Sequence, residues 1–311
     1  MPPLPVLIDC DTGVDDALAL LLAARSPALE ILGVTCVAGN VPLDAVVPNT
    51  LTVLDAAQRP EIPVAAGYGR PLVAAFENAS HVHGEDGLGL PDWLRSIRRP
   101  DSRHAVDLMA DVLSAAPEPV TLIALAPLTN LAGFVHRYPY LLPRIARIVS
   151  MGGSAFTGGN MTAAAEFNIG CDPEAAAVVY NSGVPITLYG LDVFRQVVLT
   201  EAQVKTLKSA GKLWSPLLGE LLGYIQRRFE QAEPGLGDGG TVAVTILPDA
   251  LTTHPHRVDI ELTGTHTRGM TVVDRRIASK DARHAAPPNA DVAYAIDARR
   301  AARLFVETLI E

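Results

Sequence analysis

The chain has 311 residues and a formal charge of −9, from 25 Lys or Arg against 34 Asp or Glu. That balance argues against a nucleic-acid polymer as partner, because such partners are held mainly by Lys and Arg on phosphates. With 49% hydrophobic and 19% charged residues, the chain can bury a sizeable core, which excludes intrinsic disorder.

The first residues, Met1-Pro-Pro-Leu-Pro-Val-Leu-Ile-Asp9, carry neither a basic leader nor a long apolar run, and no stretch of 18 uncharged apolar residues follows. The expectation is a soluble, cytoplasmic protein without a membrane partner. Cys10, Cys36 and Cys171 form no C-x-x-C pair and read as small buried residues rather than a zinc or redox centre.

Taken in order, residues 4–8 are an apolar run, 15–24 repeat Ala17, Leu18, Leu21 and Leu22 at helical spacing, and 32–37 are a continuous β-rich run. This reads as a β-α-β unit with parallel strands and a right-handed crossover. A helical pattern over 44–58, interrupted by Pro48, precedes a helix over 103–115, strands over 120–125 and 144–151, a helix over 173–181 and a strand over 185–189. The alternation predicts an α/β fold: a doubly wound, mostly parallel central sheet flanked by helices. Beyond Thr200 come helical patterns over 201–210 and 214–231, a Gly-rich break at 235–240 and a helix to Leu247. Short strands over 257–262, 270–273 and 291–295 lead to a terminal helix. Without a linker or repeat, residues 1–311 read as a single domain whose helical C-terminal region covers the strand ends.

Ligands of such sheets bind at the carboxyl ends of the strands. Four of those ends are polar here: residues 9–16, Gly39-Asn40, 126–130 and 152–168. The first holds Asp9-x-Asp11-x-x-x-Asp15-Asp16, four carboxylates in eight residues. Asp15 and Asp16 fall in a first helical turn, where the macrodipole favours negative charge. Capping and turn formation explain two carboxylates, not four. Oxygen ligands without nearby His or Cys point to a hard cation, Ca²⁺ or Mg²⁺. Asp238, in Gly235-Leu-Gly-Asp-Gly-Gly240, is a helix N-cap when taken alone and a third metal carboxylate when joined to that cluster. Asn160 and Glu166-Phe167-Asn168 offer donors and acceptors on short arms, suited to hydroxyls rather than phosphate; Asn160 alone reads equally as a turn residue. The run 152–159 reads as a mobile loop beside the site. His254-Pro-His256 reads as a solvent-facing turn, and Trp93 and Trp214 as packing residues, with a lid as the alternative for Trp214.

Several motifs together resemble one family. Asp9-Cys-Asp-Thr-Gly-Val-Asp-Asp16, Ala38-Gly-Asn40, His83-Gly-Glu-Asp-Gly-Leu-Gly89, Pro127-Leu-Thr-Asn130, Met151-Gly-Gly153 and Asn160 through Glu166-Phe-Asn168 are similar, in order and over nearly the whole chain, to the inosine-uridine nucleoside hydrolases. The resemblance implies Ca²⁺-dependent hydrolysis of the N-glycosidic bond of a small ribonucleoside, giving free base and ribose, by a homodimer or homotetramer. It makes Asp11, Asp16, Asp238 and the Leu125 carbonyl the metal ligands and Asp11 also the general base. Asp15, Asn40, Asn160, Glu166 and Asn168, with Phe167 among them, would contact the substrate. Three carboxylates and a carbonyl leave places on calcium for a water and the 2′- and 3′-hydroxyls, so a cis-diol becomes a requirement.

One position departs from the pattern. Where members of the family commonly carry a His that protonates the leaving base, or a Trp, this chain has Gly237. Either His83 supplies the proton, or residues of the 214–231 helix such as Tyr224 and Arg228 cover the base, or the leaving group is already activated, as a cationic nicotinamide would be. Two other functions compete. A Mg²⁺-dependent phosphohydrolase of haloacid-dehalogenase type would share the strand-Asp-x-Asp-Thr pattern but needs a Lys or Arg on the phosphoryl group, and lysines stand only at 205, 208, 212 and 280. A non-catalytic nucleoside-binding protein would keep the contacts and lose turnover.

Overall fold

Strand β1 (Leu4–Cys10) leads through a short Asp-rich turn into α1 (Val14–Arg25). Ala and Leu, the strongest helix formers, make up most of α1, and it is buried almost all round because helices close over it on the side away from the sheet. The chain continues through β2 (Leu29–Cys36), α2 (Leu43–Ala56), β3 (Val64–Ala66), α3 (Ser80–His83), α4 (Ala105–Ala115), β4 (Val120–Ala124), α5 (Thr129–Arg137) and β5 (Ile145–Met151). Next come α6 (Phe167–Cys171), α7 (Pro173–Tyr180), β6 (Ile186–Tyr189), α8 (Leu191–Phe194), α9 (Glu201–Lys208), α10 (Ser215–Arg228) and α11 (Asp238–Ile246). A β7 (Leu251–Ile260), β8 (Thr271–Asp274), β9 (Ala290–Ile296) and α12 (Ala298–Ile310) segment completes it. This computed structural model describes residues 2–276 and 286–311.

The strands form one nine-stranded sheet in the order β3-β2-β1-β4-β5-β6-β9-β7-β8. All pairings from β3 to β9 are parallel; β7 is antiparallel to both β9 and β8. Chain order reverses between β1 and β4, which opens a crevice at their carboxyl ends. Leu18, Leu20, Leu21 and Leu22 of α1 pack with Tyr189 and Phe305 on one face, and Ile148, Tyr180, Phe134 and Val292 form the core of the other. Burial of each such side chain contributes about 1.5–3 kcal/mol. Among the described residues no helix is long and apolar enough to cross a membrane.

The expected doubly wound sheet is present, with differences that have physical causes. The turn expected at His254-Pro-His256 is the middle of β7, in register with β9 at His254↔Val292, Pro255↔Asp291 and His256↔Ala290. His256 stacks on Tyr294 of β9 and its Nε2 meets the Tyr294 hydroxyl at 2.7 Å, a cross-strand contact invisible to local turn signals. Trp214 packs, 3% exposed, with its indole N–H on the Leu309 carbonyl and Arg25 over its ring. Helices α3, α5, α6 and α8 and strand β3 were not expected; four are five residues or shorter, and α5 begins inside what reads as a polar strand-end loop.

Candidate active site

Four strand ends converge on the crevice. Asp11, just beyond β1, is fully buried, and both its oxygens are held from the end of β2. The Asn40 backbone N–H donates to Oδ2 at 2.6 Å and the Asn40 amide to Oδ1 at 3.1 Å. Gly39 makes this approach possible, since a Cβ there would fall 2.0 Å from Asp11 Oδ2. Asp16 accepts from the Gly13 N–H at 2.9 Å, from the Asp11 N–H at 3.3 Å and from the same Asn40 amide at 2.9 Å. Asn40 therefore aligns two carboxylates at once. The short reach of the β1–α1 turn sets Asp15 beside them, and Asp238 arrives from the far end of the sequence as the first residue of α11, whose N-cap is Gly237.

Asp15, Asp16 and Asp238 each offer a carboxylate oxygen, and these lie within 4.8 Å of one another. Asp11 adjoins this trio through its backbone bond to Asp16. Among the described residues no Lys or Arg pairs with any of the four; the one basic side chain within 4 Å is the imidazole of His83, with Nδ1 3.8 Å from Asp15 Oδ1. One buried oxygen of Asp15, Oδ1, has no hydrogen-bond partner. Burial, then the charge of Asp15, pushes the Asp16 carboxyl up to about 7. Burial with the neighbouring carboxylates holds Asp11 and Asp238 well above the usual range. Capping accounts for Asp16 on Gly13 but not for buried Asp11 and Asp238. A concentration of buried like charges with oxygen donors only, and one orphaned oxygen, fits a hard divalent cation.

The second expected group lies beyond β5. Glu166 caps α6, accepting from the N–H groups of Gly153, Asn168 and Ile169 at 2.8, 3.0 and 3.1 Å; burial nevertheless pushes its carboxyl up. The Asn168 amide donates to the Leu125 carbonyl at 2.9 Å, joining the end of β4 to that of β5. Asn160 is exposed and its Oδ1 accepts from the N–H of half-buried Phe167 at 2.8 Å. One residue was missed. Asp192, on α8 just beyond β6, accepts from the N–H groups of Ala155, Phe156 and Thr157 at 2.6, 2.9 and 3.0 Å. The loop expected to be mobile is thus tied to a carboxylate, and a lone Asp three residues past a strand end is the only signal the sequence offers.

His83 ends α3 and is 9% exposed. The Val14 N–H, at the start of α1, donates to its Nδ1 at 3.1 Å, which assigns the ring proton of the neutral imidazole to Nε2. Gly13 admits the ring, because a Cβ there would lie 2.6 Å from Nδ1. Burial pushes the imidazole down, opposed by Asp15. Tyr224 and Arg228, expected over the base, spend their polar atoms on α3. The Tyr224 hydroxyl donates to the Val82 carbonyl at 3.0 Å, and Arg228 donates twice to the His81 carbonyl at 3.0 and 2.7 Å.

Comparison with known proteins places this geometry. A family model described as inosine-uridine preferring nucleoside hydrolase matches residues 6–303. The chain belongs to this family. Similar curated proteins include the pyrimidine-specific ribonucleoside hydrolases RihA of Salmonella gallinarum and Salmonella schwarzengrund, 39% and 40% identical over 98% of each chain. Similar solved structures include a plant nucleoside hydrolase, PpNRh1, with a TM-score of 0.89 and 31% identity over 99% of both chains. The purine-preferring ribonucleoside hydrolase of Gardnerella vaginalis gives 0.90 and 30% over 98% of both. This nucleoside hydrolase is therefore an N-glycosidic hydrolase of ribonucleosides, and the family match does not favour the phosphohydrolase reading.

Proposed function

We propose that this nucleoside hydrolase is calcium-dependent, with Asp11, Asp16, Asp238 and the Leu125 carbonyl as ligands. The observation that carries the reading is the buried carboxylate cluster, which among the described residues has no Lys or Arg partner. Asp15, whose oxygen lies with those of Asp16 and Asp238, stands beside the ion or on a ribose hydroxyl. Calcium bound there supplies a polarised water and an anchor for a vicinal diol. Asp11 takes the proton of the attacking water as the N-glycosidic bond lengthens. The surrounding carboxylates and the Asn168 carbonyl oxygen, left over once its amide is spent on Leu125, stabilise the oxocarbenium-like sugar. Asn40, Asn160, Glu166 and Phe167 complete the ribose pocket, Asn40 chiefly by fixing the carboxylates.

His83, neutral with its N–H on Nε2, hydrogen-bonds to the leaving base and stabilises the charge that develops on it, and Tyr224 and Arg228 place it by gripping α3. The absence of a side chain at Gly237, together with an imidazole pushed down by burial, also favours an activated base such as a cationic nicotinamide. The curated relatives named as pyrimidine-specific make uridine and cytidine the first substrates to try. The test is a panel of uridine, cytidine, inosine, 2′-deoxyuridine, nicotinamide riboside and a nitrophenyl riboside, assayed for free sugar with calcium and with chelator. Turnover of ribosides only, abolished by chelator and restored by calcium, is expected; chelator-resistant turnover or equal cleavage of the deoxynucleoside would overturn the reading.

A further inference from the structure

Asp9 is the one carboxylate of the N-terminal motif that the mechanism leaves unused. It is 3% exposed and its side chain turns to the neighbouring strands. Oδ1 accepts from the Thr35 hydroxyl at 2.6 Å and the Asn130 amide at 2.8 Å, while Oδ2 is buried without a partner among the described residues. The same Asn130 amide donates to the Cys36 carbonyl at 3.0 Å, and Asn130 Oδ1 accepts from the Tyr68 N–H at 3.0 Å. The Tyr68 carbonyl in turn accepts from the Ala38 N–H at 3.0 Å. Two residues on stands Asn40, which holds Asp11 and Asp16. The Leu125 N–H donates to the Asp9 carbonyl at 2.8 Å. The Asn130 side chain fills its slot tightly, since a Cβ on Gly67 would lie 2.1 Å from its Oδ1.

We infer that Asp9 is a positioning residue: acting through Asn130, it locks the β1, β2 and β4 ends in register and so sets Asn40 and the Leu125 carbonyl on the metal carboxylates. The effect on calcium rests on the metal reading above; the effect on the loop does not. Fixing a cation needs ligands oriented in advance, and loss of such outer support typically costs about 10- to 100-fold in metal affinity. Because Asp9 acts through Asn130, removing both removes one device, so the losses do not add.

The experiment compares Asp9→Ala, Asn130→Ala, the double variant and Asp9→Asn in the full chain. Calcium is titrated calorimetrically below each melting temperature, and amide hydrogen exchange of residues 36–41 is followed in chelator. Each alanine variant is expected to bind calcium at least about 10-fold more weakly and to exchange faster over 36–41, with the double variant no worse than either. Asp9→Asn, which keeps an acceptor oxygen for both donors, should recover most of the affinity. Wild-type affinity and an unchanged exchange rate over 36–41 in folded Asp9→Ala, or losses that add in the double variant, would overturn the inference. If the wild type takes up no calcium, the metal reading fails, and exchange over 36–41 still decides the role of Asp9.

Discussion

A Cβ on Gly237 would lie 2.5 Å from Oδ2 of Asp15 and 2.6 Å from its Cβ, and Gly237 itself adopts φ +53°. Backbone there favours glycine, and the space a side chain needs is filled by a residue of the carboxylate cluster. The His or Trp that the family resemblance leads one to expect at this position thus conflicts with the placement of Asp15 here. Gly237→His should weaken calcium binding by about 10-fold or more and bring no gain on inosine, measured by calorimetry and ribose release. A variant with unchanged calcium affinity and faster inosine hydrolysis would show that Asp15 does not constrain the position.

His83 donates through Nε2 only if Val14 keeps its N–H on Nδ1. His83→Ala should slow hydrolysis of uridine or inosine by about 10²-fold or more while sparing a nitrophenyl riboside. Equal losses on both, in steady-state assays, would remove His83 from leaving-group chemistry.

Burial pushes Asp9 and Asp16 up to about 7, against about 4 in the unfolded chain. Between those values the folded state holds the extra protons, so this contribution to stability is full at low pH and is lost as pH rises through 7. Metal-free protein should therefore melt at progressively lower temperature from pH 5 to pH 8. Calcium requires ionised carboxylates and should protect more at pH 8 than at pH 5. Melting curves in chelator and in calcium check this, and curves that run parallel across pH would contradict it.

Asp192 carries the three N–H groups that shape the loop before Asn160. Each bond to a charged acceptor is worth about 1.5–3 kcal/mol when well shielded, and less here because Asp192 is half-buried. Asp192→Ala should raise KM for uridine about 10-fold with kcat changed only a few-fold, as expected when ground-state positioning is lost. A fall in kcat at constant KM would place Asp192 in the chemistry instead.

The sheet was legible because buried parallel strands are continuous apolar runs and their covering helices keep a 3.6-residue repeat, as residues 4–8, 15–24 and 32–37 show. The cluster Asp9 to Asp16 was legible because all four carboxylates fall in one local window. Asp238, Asn40 and Asn168 drew their meaning from matching ordered motifs, since nothing local distinguishes them from caps and turn residues. Short elements such as α3 and α6 escaped because a turn of helix has no periodicity to read. The strand through His254 and His256 escaped because its stabilising partner, Tyr294, is remote in sequence.

The sequence by itself thus determined which strand would carry the acids and which helix would follow it, because both depend on side-chain pattern within one segment. Only the tertiary structure decided that Asp15 joins Asp16 and Asp238 within 4.8 Å, that Asn40 serves two carboxylates, and that Tyr224 and Arg228 hold α3. Those outcomes depend on distances between strand ends, which the order β3-β2-β1-β4-β5 sets by bringing remote segments to one crevice.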